Sequence, residues 1–252
     1  MTAYLNNAEI WQESWDRQQE GFLPDREHRF DAMLTAVAAV AEGPAPKVLD
    51  LAGGTGSISL RALARFPGAR VTVLDQDPVL LTIAAASLDG RATVVDADLG
   101  DPGWRGKLPH EGFDAVLTAT ALHWLPADRI GALYAEIRDV LRPGGIFVNA
   151  DHMPDEGLTD FNVRLREHAR ATRNARYASG AVTSWADWWA RAAADEQLGP
   201  KVVERQQIYP GGHAQEWNPS AGWHLDALRA AGFGESGVVW RGGTDAAVIG
   251  VR

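Results

Sequence analysis

The chain has 252 residues, 46% of them hydrophobic, a formal net charge of −9 and no cysteine. This length predicts one α/β domain with an elaboration, and the lack of cysteine excludes disulfide bonds and thiolate metal sites. The acidic balance argues against nucleic acid as a partner, because such affinity comes largely from neutralising phosphates. No apolar run is long enough to cross a bilayer, and residues 1–20 are too polar for a signal peptide. We therefore expect a cytoplasmic protein that binds neither membranes nor nucleic acid.

Two helices are predicted before the first core strand. Trp11 and Trp15 are four residues apart and so share one face of the first helix. The second helix, about residues 26–41, carries its apolar residues on one stripe. We expect residues 1–43 to form cap helices in front of a cofactor-binding core that spans 44–151.

A glycine-rich turn follows the first predicted strand, residues 47–51. Its pattern is Asp50-x-Ala52-x-Gly54-x-Gly56, and an apolar-periodic helix comes next. Glycines allow a tight turn and a close approach of a ligand, and the helix offers unpaired N–H groups at its N-terminus. An acid at the strand end would repel a pyrophosphate and suits a cationic cofactor with an amino group. The turn therefore predicts a nucleoside cofactor that carries positive charge.

The second predicted strand begins at Arg70 and leads into two acids, Asp75 and Asp77. A carboxylate accepts two O–H donors at once, so Asp75 is chemically suited to a ribose diol. Asp77 is instead predicted to cap the helix that begins at Pro78, since proline favours the first helical turn.

Three further strands complete the core. Their predicted ranges are 92–95, 113–118 and 146–151, with an amphipathic helix over 128–141 before the last. The turn Arg142-Pro143-Gly144-Gly145 separates that helix from the last of these strands.

These motifs resemble the class I S-adenosylmethionine-dependent methyltransferases. The turn matches their D-x-G-x-G-x-G motif with Ala52 in place of the first glycine, and the L-R-P-G-G turn is a second hallmark. The segment after the fourth strand, 119–126, resembles members of the trans-aconitate methyltransferase type, which act on small acids. The resemblance covers about 46–151, with a weaker match at the C-terminus. It implies an α/β fold with a Rossmann-like, seven-stranded, mostly parallel sheet and an antiparallel last strand.

The resemblance also implies the cofactor, S-adenosylmethionine, and the residues that hold it. Asp75 would bind the ribose, and Asp98 with Leu99 the adenine, with Asp96 as the competing choice. Arg29 could meet the cofactor's carboxylate or be a solvated helix cation. The full implied set is Asp50, Ala52, Gly53, Gly54, Gly56, Asp75, Gln76, Asp98, Leu99, Thr118 and Arg29.

The C-terminal part departs from the plain fold. Helices are predicted over 158–177 and 182–197 within a substrate lid, 152–218, and a closing helix and β-hairpin within 219–252. Five of the ten tryptophans lie between positions 185 and 223. We expect them to line a pocket for an aromatic or flat substrate, to form the lid's own core, or to make a homodimer contact. The predicted substrate residues are Trp11, Trp124, Trp185 and His213. A row of arginines, Arg166, Arg170 and Arg173, either attracts an acidic substrate or is a solvated face.

The predicted reaction is in-line methyl transfer to the oxygen or nitrogen of a small molecule. A general base needs a suitable pKa and reach, and the candidates are His152, Asp151, His123 and His213, of which we favour His152, followed by His123. No metal site is predicted; His123 and His152 with Asp151 is the one cluster worth testing.

Two rival functions stay open at this point. One is a protein of the same fold that binds the cofactor without methyl transfer, such as a cyclase-like enzyme or a binding module. The other is an RNA or protein methyltransferase. The acidic charge argues against RNA, and Thr118-Ala119-Thr120-Ala121 stands where many such enzymes carry N-P-P-Y.

Overall fold

A computed structural model describes residues 5–212 and 216–252 of the chain, with one sheet at its centre. The strands are β1 (Lys47–Leu51), β2 (Arg70–Asp75), β3 (Ala92–Asp96), β4 (Phe113–Ala119), β5 (Leu141–His152), β6 (Glu235–Gly242) and β7 (Asp245–Val251). Their order in the seven-stranded sheet is β3-β2-β1-β4-β5-β7-β6. Strand β7 is antiparallel to both of its neighbours, and the other pairs are parallel. The predicted fold is therefore confirmed.

Helices cover both faces of this sheet and continue beyond it. They are α1 (Ala8–Gln19), α2 (Arg26–Val40), α3 (Ser57–Arg65), α4 (Pro78–Leu88), α5 (Ala127–Val140), α6 (Thr159–Ala178), α7 (Trp185–Ala194), α8 (Gly199–Ile208) and α9 (Ala221–Ala230). Short 3-10 helices span Pro102–Lys107, Leu122–Trp124 and Glu156–Leu158. None of the helices in the described ranges is long and apolar enough to cross a membrane.

The alternation of side chains along β1 shows how the sheet divides the core. Leu49 and Leu51 pack on the face covered by α5 and α9, whereas Val48 packs on the face covered by α2 and α3. All three are fully buried. Burial on both faces explains why the parallel strands are almost continuously apolar, and it makes the buried acid Asp50 conspicuous.

A third apolar cluster joins the N-terminal helix to the segment after β5. Trp11 and Trp15 of α1 pack against Trp188 of α7, with ring centroids 5.7 and 4.9 Å apart. Ile83 of α4 and Val202 of α8 complete the contact. The helices α1, α7 and α8 thus form one cover, which sits on α4 at the edge of the sheet.

The structure differs from the sequence-based expectation at β5 and α8. Strand β5 begins at Leu141, five residues before the predicted start at Ile146, because Leu141 already pairs with Phe113 before the register shifts. Helix α8 was not predicted, although Pro200 stands in its first turn. Only a short part of α8 is buried against α4, so its sequence shows little apolar periodicity.

Candidate active site

A cavity of about 770 Å³ opens where the parallel strands end. Its lining includes Asp50 near the end of β1, Asp75 at the end of β2, Ala119 at the end of β4 and His152 at the end of β5. In open α/β sheets ligands bind at this edge.

The glycine-rich turn owes its shape to left-handed backbone conformations. The φ angles are 52° at Ala52, 56° at Gly54 and 79° at Gly56. For a residue with a Cβ atom this conformation costs about 1–2 kcal/mol. The strain explains why the methyltransferase motif has a glycine where this chain has Ala52.

Gly53 is required for a different reason. A Cβ atom on Gly53 would lie 2.7 Å from Cγ of Asp50, which is closer than van der Waals contact. The Asp50 carboxylate cannot yield easily, because its Oδ2 accepts hydrogen bonds from the backbone N–H of Ser59 (3.0 Å) and from the Ser59 hydroxyl (2.7 Å). The turn is therefore built directly against the buried acid.

The other oxygen of Asp50 is a vacant acceptor. Oδ1 is buried and has no hydrogen-bond partner within the described residues. Burial raises the pKa of Asp50 to about 6, although the hydrogen bonds from Ser59 lower it. A buried acceptor without a partner is costly, and an ammonium group or a bridging water would satisfy it. Asp50 therefore fits the amino group of S-adenosylmethionine.

Asp75 organises the next loop through three backbone donors. Its carboxylate accepts from the N–H groups of Gly54 (2.8 Å), Gln76 (2.7 Å) and Asp77 (2.9 Å). Burial raises the pKa of Asp75 to about 6, while these hydrogen bonds lower it. A carboxylate has about four acceptor positions, so Asp75 can still accept one hydroxyl donor.

Asp77 is the N-cap of α4, as predicted. Its Oδ1 accepts from the N–H groups of Val79 and Leu80, and its Oδ2 forms an ion pair with Nε of Arg205 at 2.5 Å. The ion pair fastens α8 to the start of α4.

Where adenine binding is predicted, Asp98 and Leu99 line the cavity and Asp96 does not. The Asp98 carboxylate accepts from the N–H of Gly100 at 2.7 Å, which holds this short loop. Of the two acids weighed for adenine, Asp98 is the one at the cavity.

Two histidine–carboxylate pairs lie on the opposite side of the cavity. Nδ1 of His123 lies 2.7 Å from Oδ1 of Asp151, and Nδ1 of His152 lies 2.8 Å from Oδ1 of Asp245. The two imidazole centroids are 5.6 Å apart, and both rings line the cavity. No group of three or more potential metal ligands occurs among the described residues.

These pairs shift the pKa values of His152 and Asp151. Burial lowers the pKa of His152, but the hydrogen bond and the charge of Asp245, with that of Asp151, outweigh burial and raise the pKa above its usual value. Burial would raise the pKa of Asp151, yet the neighbouring His123 keeps it below the usual value.

A polar network from α1 closes the cavity over the turn. Asp16 accepts hydrogen bonds from the Ser57 hydroxyl (2.6 Å) and from Nη1 of Arg26 (2.5 Å). Gln12 donates to the same Ser57 hydroxyl at 3.1 Å. Nothing local in the sequence signals this network, because its partners lie in three different elements.

Most of the predicted site residues meet at the cavity. Those that line it are Asp50, Ala52, Gly53, Gly54, Asp75, Gln76, Asp98, Leu99, His123, Trp124, His152 and Trp185. Four others do not line it: Gly56, Thr118, Trp11 and Arg29. His213 lies outside the described residues.

The structure shows why each of these four residues does not line the cavity. Gly56 caps α3, and Thr118 is fully buried within the sheet, where it pairs with Asn149. Trp11 packs on Trp188. Arg29 is buried, with Nη2 2.5 Å from Oδ2 of Asp245, so the structure corrects both uses considered for it.

Several residues that line the cavity were not predicted from the sequence. From the N-terminal helices and their connection come Trp15, Gln19, Phe22 and Arg26, and from the segment after β5 come Trp189, Arg205 and Tyr209. The available signals were the position of Trp15, four residues from Trp11, and the tryptophan cluster between 185 and 223 to which Trp189 belongs.

Known proteins resemble this chain in sequence and in fold. A family model described as a methyltransferase domain matches residues 48–145. An uncharacterized methyltransferase of Geobacillus kaustophilus is 30% identical over 148 residues, which are 59% of this chain and 66% of that protein. Trans-aconitate 2-methyltransferase of Streptomyces avermitilis is 32% identical over 165 residues, 64% of this chain and 58% of that protein. The chain thus spans no more than about two thirds of the length of these relatives.

Among solved structures, human N-acetylserotonin methyltransferase in complex with S-adenosylmethionine has the same fold. The TM-score is 0.54 at 14% identity, with 96% of this chain and 57% of that chain covered. Together with the strand order and the acidic glycine-rich turn, these matches establish that the chain belongs to the class I S-adenosylmethionine-dependent methyltransferases.

Proposed function

We propose that the protein transfers the methyl group of S-adenosylmethionine to a small-molecule acceptor, with His152 as the general base. The observation that carries the proposal is the vacant Oδ1 of Asp50 in the same cavity as Asp75 and His152. One side of the cavity suits an ammonium group and a ribose, and the other offers a base.

The cofactor would lie across the ends of β1, β2 and β3. Asp50 would receive its amino group, directly or through water, Asp75 a ribose hydroxyl, and Asp98 with Leu99 its adenine. When bound, it supplies an activated methyl group on a sulfonium sulfur, so the protein's task is alignment, exclusion of water and removal of a proton.

His152 is suited to take that proton. Its Nδ1 lies against the carboxylate of Asp245, so we assign the neutral ring the tautomer with hydrogen on Nδ1. The lone pair is then on Nε2, which makes no hydrogen bond to the described residues. The imidazolium that forms would be stabilised by Asp245, which keeps the ring oriented at the same time.

A small acceptor is favoured by the way the cavity is covered. Trp15 and Phe22 close it from the N-terminal side, and Trp185 and Trp189 close it from α7. We infer that residues 152–218 act as a substrate lid in front of the 44–151 core, with 1–43 as a second cover. The related trans-aconitate 2-methyltransferase is named for a small acceptor. An acidic chain of this kind suits a cytoplasmic enzyme without nucleic-acid partners.

Calorimetric titration with S-adenosylmethionine and with S-adenosylhomocysteine tests the cofactor assignment. We expect both to bind with one site per chain. Binding of neither by folded protein would overturn the proposal. Binding of both, with no methylated product from any acceptor, would favour a non-methylating protein of the same fold.

A further inference from the structure

The cavity has an aromatic wall, formed by Trp15, Phe22, Trp185 and Trp189. The ring centroid of Trp185 lies 5.7 Å from that of Trp15 and 5.7 Å from that of Trp189. It lies 6.3 Å from the ring centroid of Phe22. Trp185 is 38% exposed, so part of its ring is open to a ligand. Rings in such edge-to-face contact favour a flat, apolar partner.

The arginines at the cavity are already engaged. Nη1 of Arg26 lies 2.5 Å from the carboxylate of Asp16, and Nε of Arg205 lies 2.5 Å from that of Asp77. The Arg205 guanidinium also stacks on Trp189, 4.1 Å from the ring centroid. An acceptor carboxylate at either arginine would compete with a carboxylate that already neutralises it, and loss of that pair would leave a largely buried carboxylate uncompensated.

The surrounding charge opposes an anionic acceptor as well. Five carboxylates line the described part of the cavity, those of Asp50, Asp75, Asp77, Asp98 and Glu216, against the two arginines. An excess of one sign in a concave site repels ligands of that sign. Arg166, Arg170 and Arg173 of the arginine row on α6 do not line the cavity, although the Arg173 guanidinium lies 4.6 Å from the ring centroid of Phe22.

We propose that the acceptor is an uncharged, flat aromatic molecule and that its hydroxyl group is methylated. This inference rests on the proposed function and narrows it to one acceptor class. The hydroxyl proton passes to Nε2 of His152, and a lone pair of the oxygen forms the new O–CH3 bond. The bond between that methyl group and sulfur breaks with its electrons left on sulfur, so the products are an aryl methyl ether, S-adenosylhomocysteine and the imidazolium of His152.

The histidine pair distinguishes a hydroxyl from an amine. An aromatic amine is uncharged at neutral pH and attacks without prior loss of a proton, whereas a phenol is a good nucleophile only as its proton leaves. A base held by a carboxylate, as His152 is by Asp245, is needed for the second reaction.

Three probes with one ring system test the acceptor class: 2-naphthol, 2-naphthoate and 2-naphthylamine. Each is titrated calorimetrically into protein saturated with S-adenosylhomocysteine, and each is then assayed for methylation with S-adenosylmethionine. We expect 2-naphthol to bind at least about tenfold more tightly than 2-naphthoate, a difference of about 1.4 kcal/mol, and to yield 2-methoxynaphthalene. Equal or tighter binding of 2-naphthoate, or methylation of the acid or the amine alone, would overturn the acceptor class.

The titration of S-adenosylhomocysteine itself distinguishes failure of the proposed acceptor class from failure of the methyltransferase proposal. If the nucleoside binds and the acid is preferred, the acceptor class fails and the methyltransferase proposal stands. If the nucleoside does not bind, both fail.

Variants of the aromatic wall give a second readout. Trp185→Ala removes a partly exposed ring, so the fold is expected to survive, and 2-naphthol binding should weaken about tenfold while S-adenosylhomocysteine binding does not change. Trp185→Phe keeps a ring and should lose less. Val203→Ala, at an exposed site on α8 away from the cavity, is the matched control. Unaltered 2-naphthol binding by Trp185→Ala would contradict the aromatic wall as the acceptor site.

Discussion

His152 and Asp245 face each other across the antiparallel pair of β5 and β7, where they are register partners. Nδ1 of His152 lies 2.8 Å from Oδ1 of Asp245, while the other carboxylate oxygen accepts from Arg29 at 2.5 Å. Strand β7, the last in the chain, thus supplies the carboxylate that orients a histidine at the cavity.

The first prediction concerns the pH dependence of methyl transfer. A general base must be neutral, so kcat/KM should rise with pH through the pKa of His152, which lies above the usual 6.5. In Asp245→Asn that pKa should fall, because the carboxylate is lost and Arg29 is left as an uncompensated neighbouring charge. The rising limb of the pH profile should then move to lower pH, with a smaller plateau.

His152→Gln is the companion variant. It should lose roughly 100-fold or more in kcat, a typical contribution of a general base, and S-adenosylmethionine affinity should not change. A profile in Asp245→Asn that keeps the wild-type midpoint would show that His152 is not the titrating base.

The second prediction concerns the ribose site. Asp75→Asn removes the charge that would hold the ribose hydroxyl, and its amide nitrogen cannot accept the backbone N–H groups that Asp75 holds. Hydrogen bonds to a charged group are worth about 1.5–3 kcal/mol, so calorimetry should show the Kd for S-adenosylmethionine raised by roughly 10- to 100-fold. Asp96→Asn is the matched control, because Asp96 is the exposed register partner on β3 and does not line the cavity. Equal affinity in both variants would refute the ribose assignment.

The third prediction contrasts neighbouring positions of the glycine-rich turn. Ala52→Gly relieves a left-handed alanine and should stabilise the protein by about 0.5–1 kcal/mol, after the larger entropy loss of glycine is subtracted. Gly53→Ala places a methyl group against the fixed carboxylate of Asp50 and should abolish cofactor binding. Urea unfolding and calorimetry measure the two effects, and a Gly53→Ala protein that binds normally would contradict this packing.

The fourth prediction concerns the tie between α1 and the turn. Asp16→Ala leaves the buried Arg26 without its carboxylate and Ser57 without its acceptor. Loss of one partner of a largely buried pair should cost about 3 kcal/mol of unfolding free energy, measured in urea at pH 7. Glu13→Ala, at an exposed position of the same helix, should change it by less than about 0.5 kcal/mol. Similar values for the two variants would mean that α1 is held by its tryptophans alone.

The fifth prediction concerns stability in acid. His224 is 2% exposed and its Nδ1 lies 2.6 Å from the Tyr134 hydroxyl, and burial lowers its pKa to about 4. In the unfolded chain this histidine takes up its proton near pH 6.5, at higher pH than in the folded protein. The free energy of unfolding is therefore at its full value above about pH 6.5 and falls by about 3 kcal/mol as the pH drops toward 4. His224→Asn should flatten this part of the stability profile relative to wild type. Parallel profiles would show that other groups carry the acid sensitivity.

The sequence alone predicted the order of the core elements and, apart from the start of β5, many of their bounds to within one residue. Strand Lys47–Leu51 and the start of helix Pro78–Leu88 were predicted to the residue, because apolar runs, caps and prolines act over a few positions. Asp50, Asp75 and Asp98 could be expected at one edge of the sheet, since strand ends in a parallel sheet meet there, and the resemblance implied their roles toward the cofactor.

Only the tertiary structure decided which charges are paired and which rings face the cavity. Arg29 was expected at the cofactor, yet it is paired with Asp245, 216 positions away, and Arg26 lines the cavity from the same helix. Likewise Trp11 and Trp15 share one helical face and both enter the apolar cluster, yet only Trp15 also lines the cavity. Local periodicity determines which face of a helix is buried, but partners are chosen by the docking of distant elements, which no local pattern encodes.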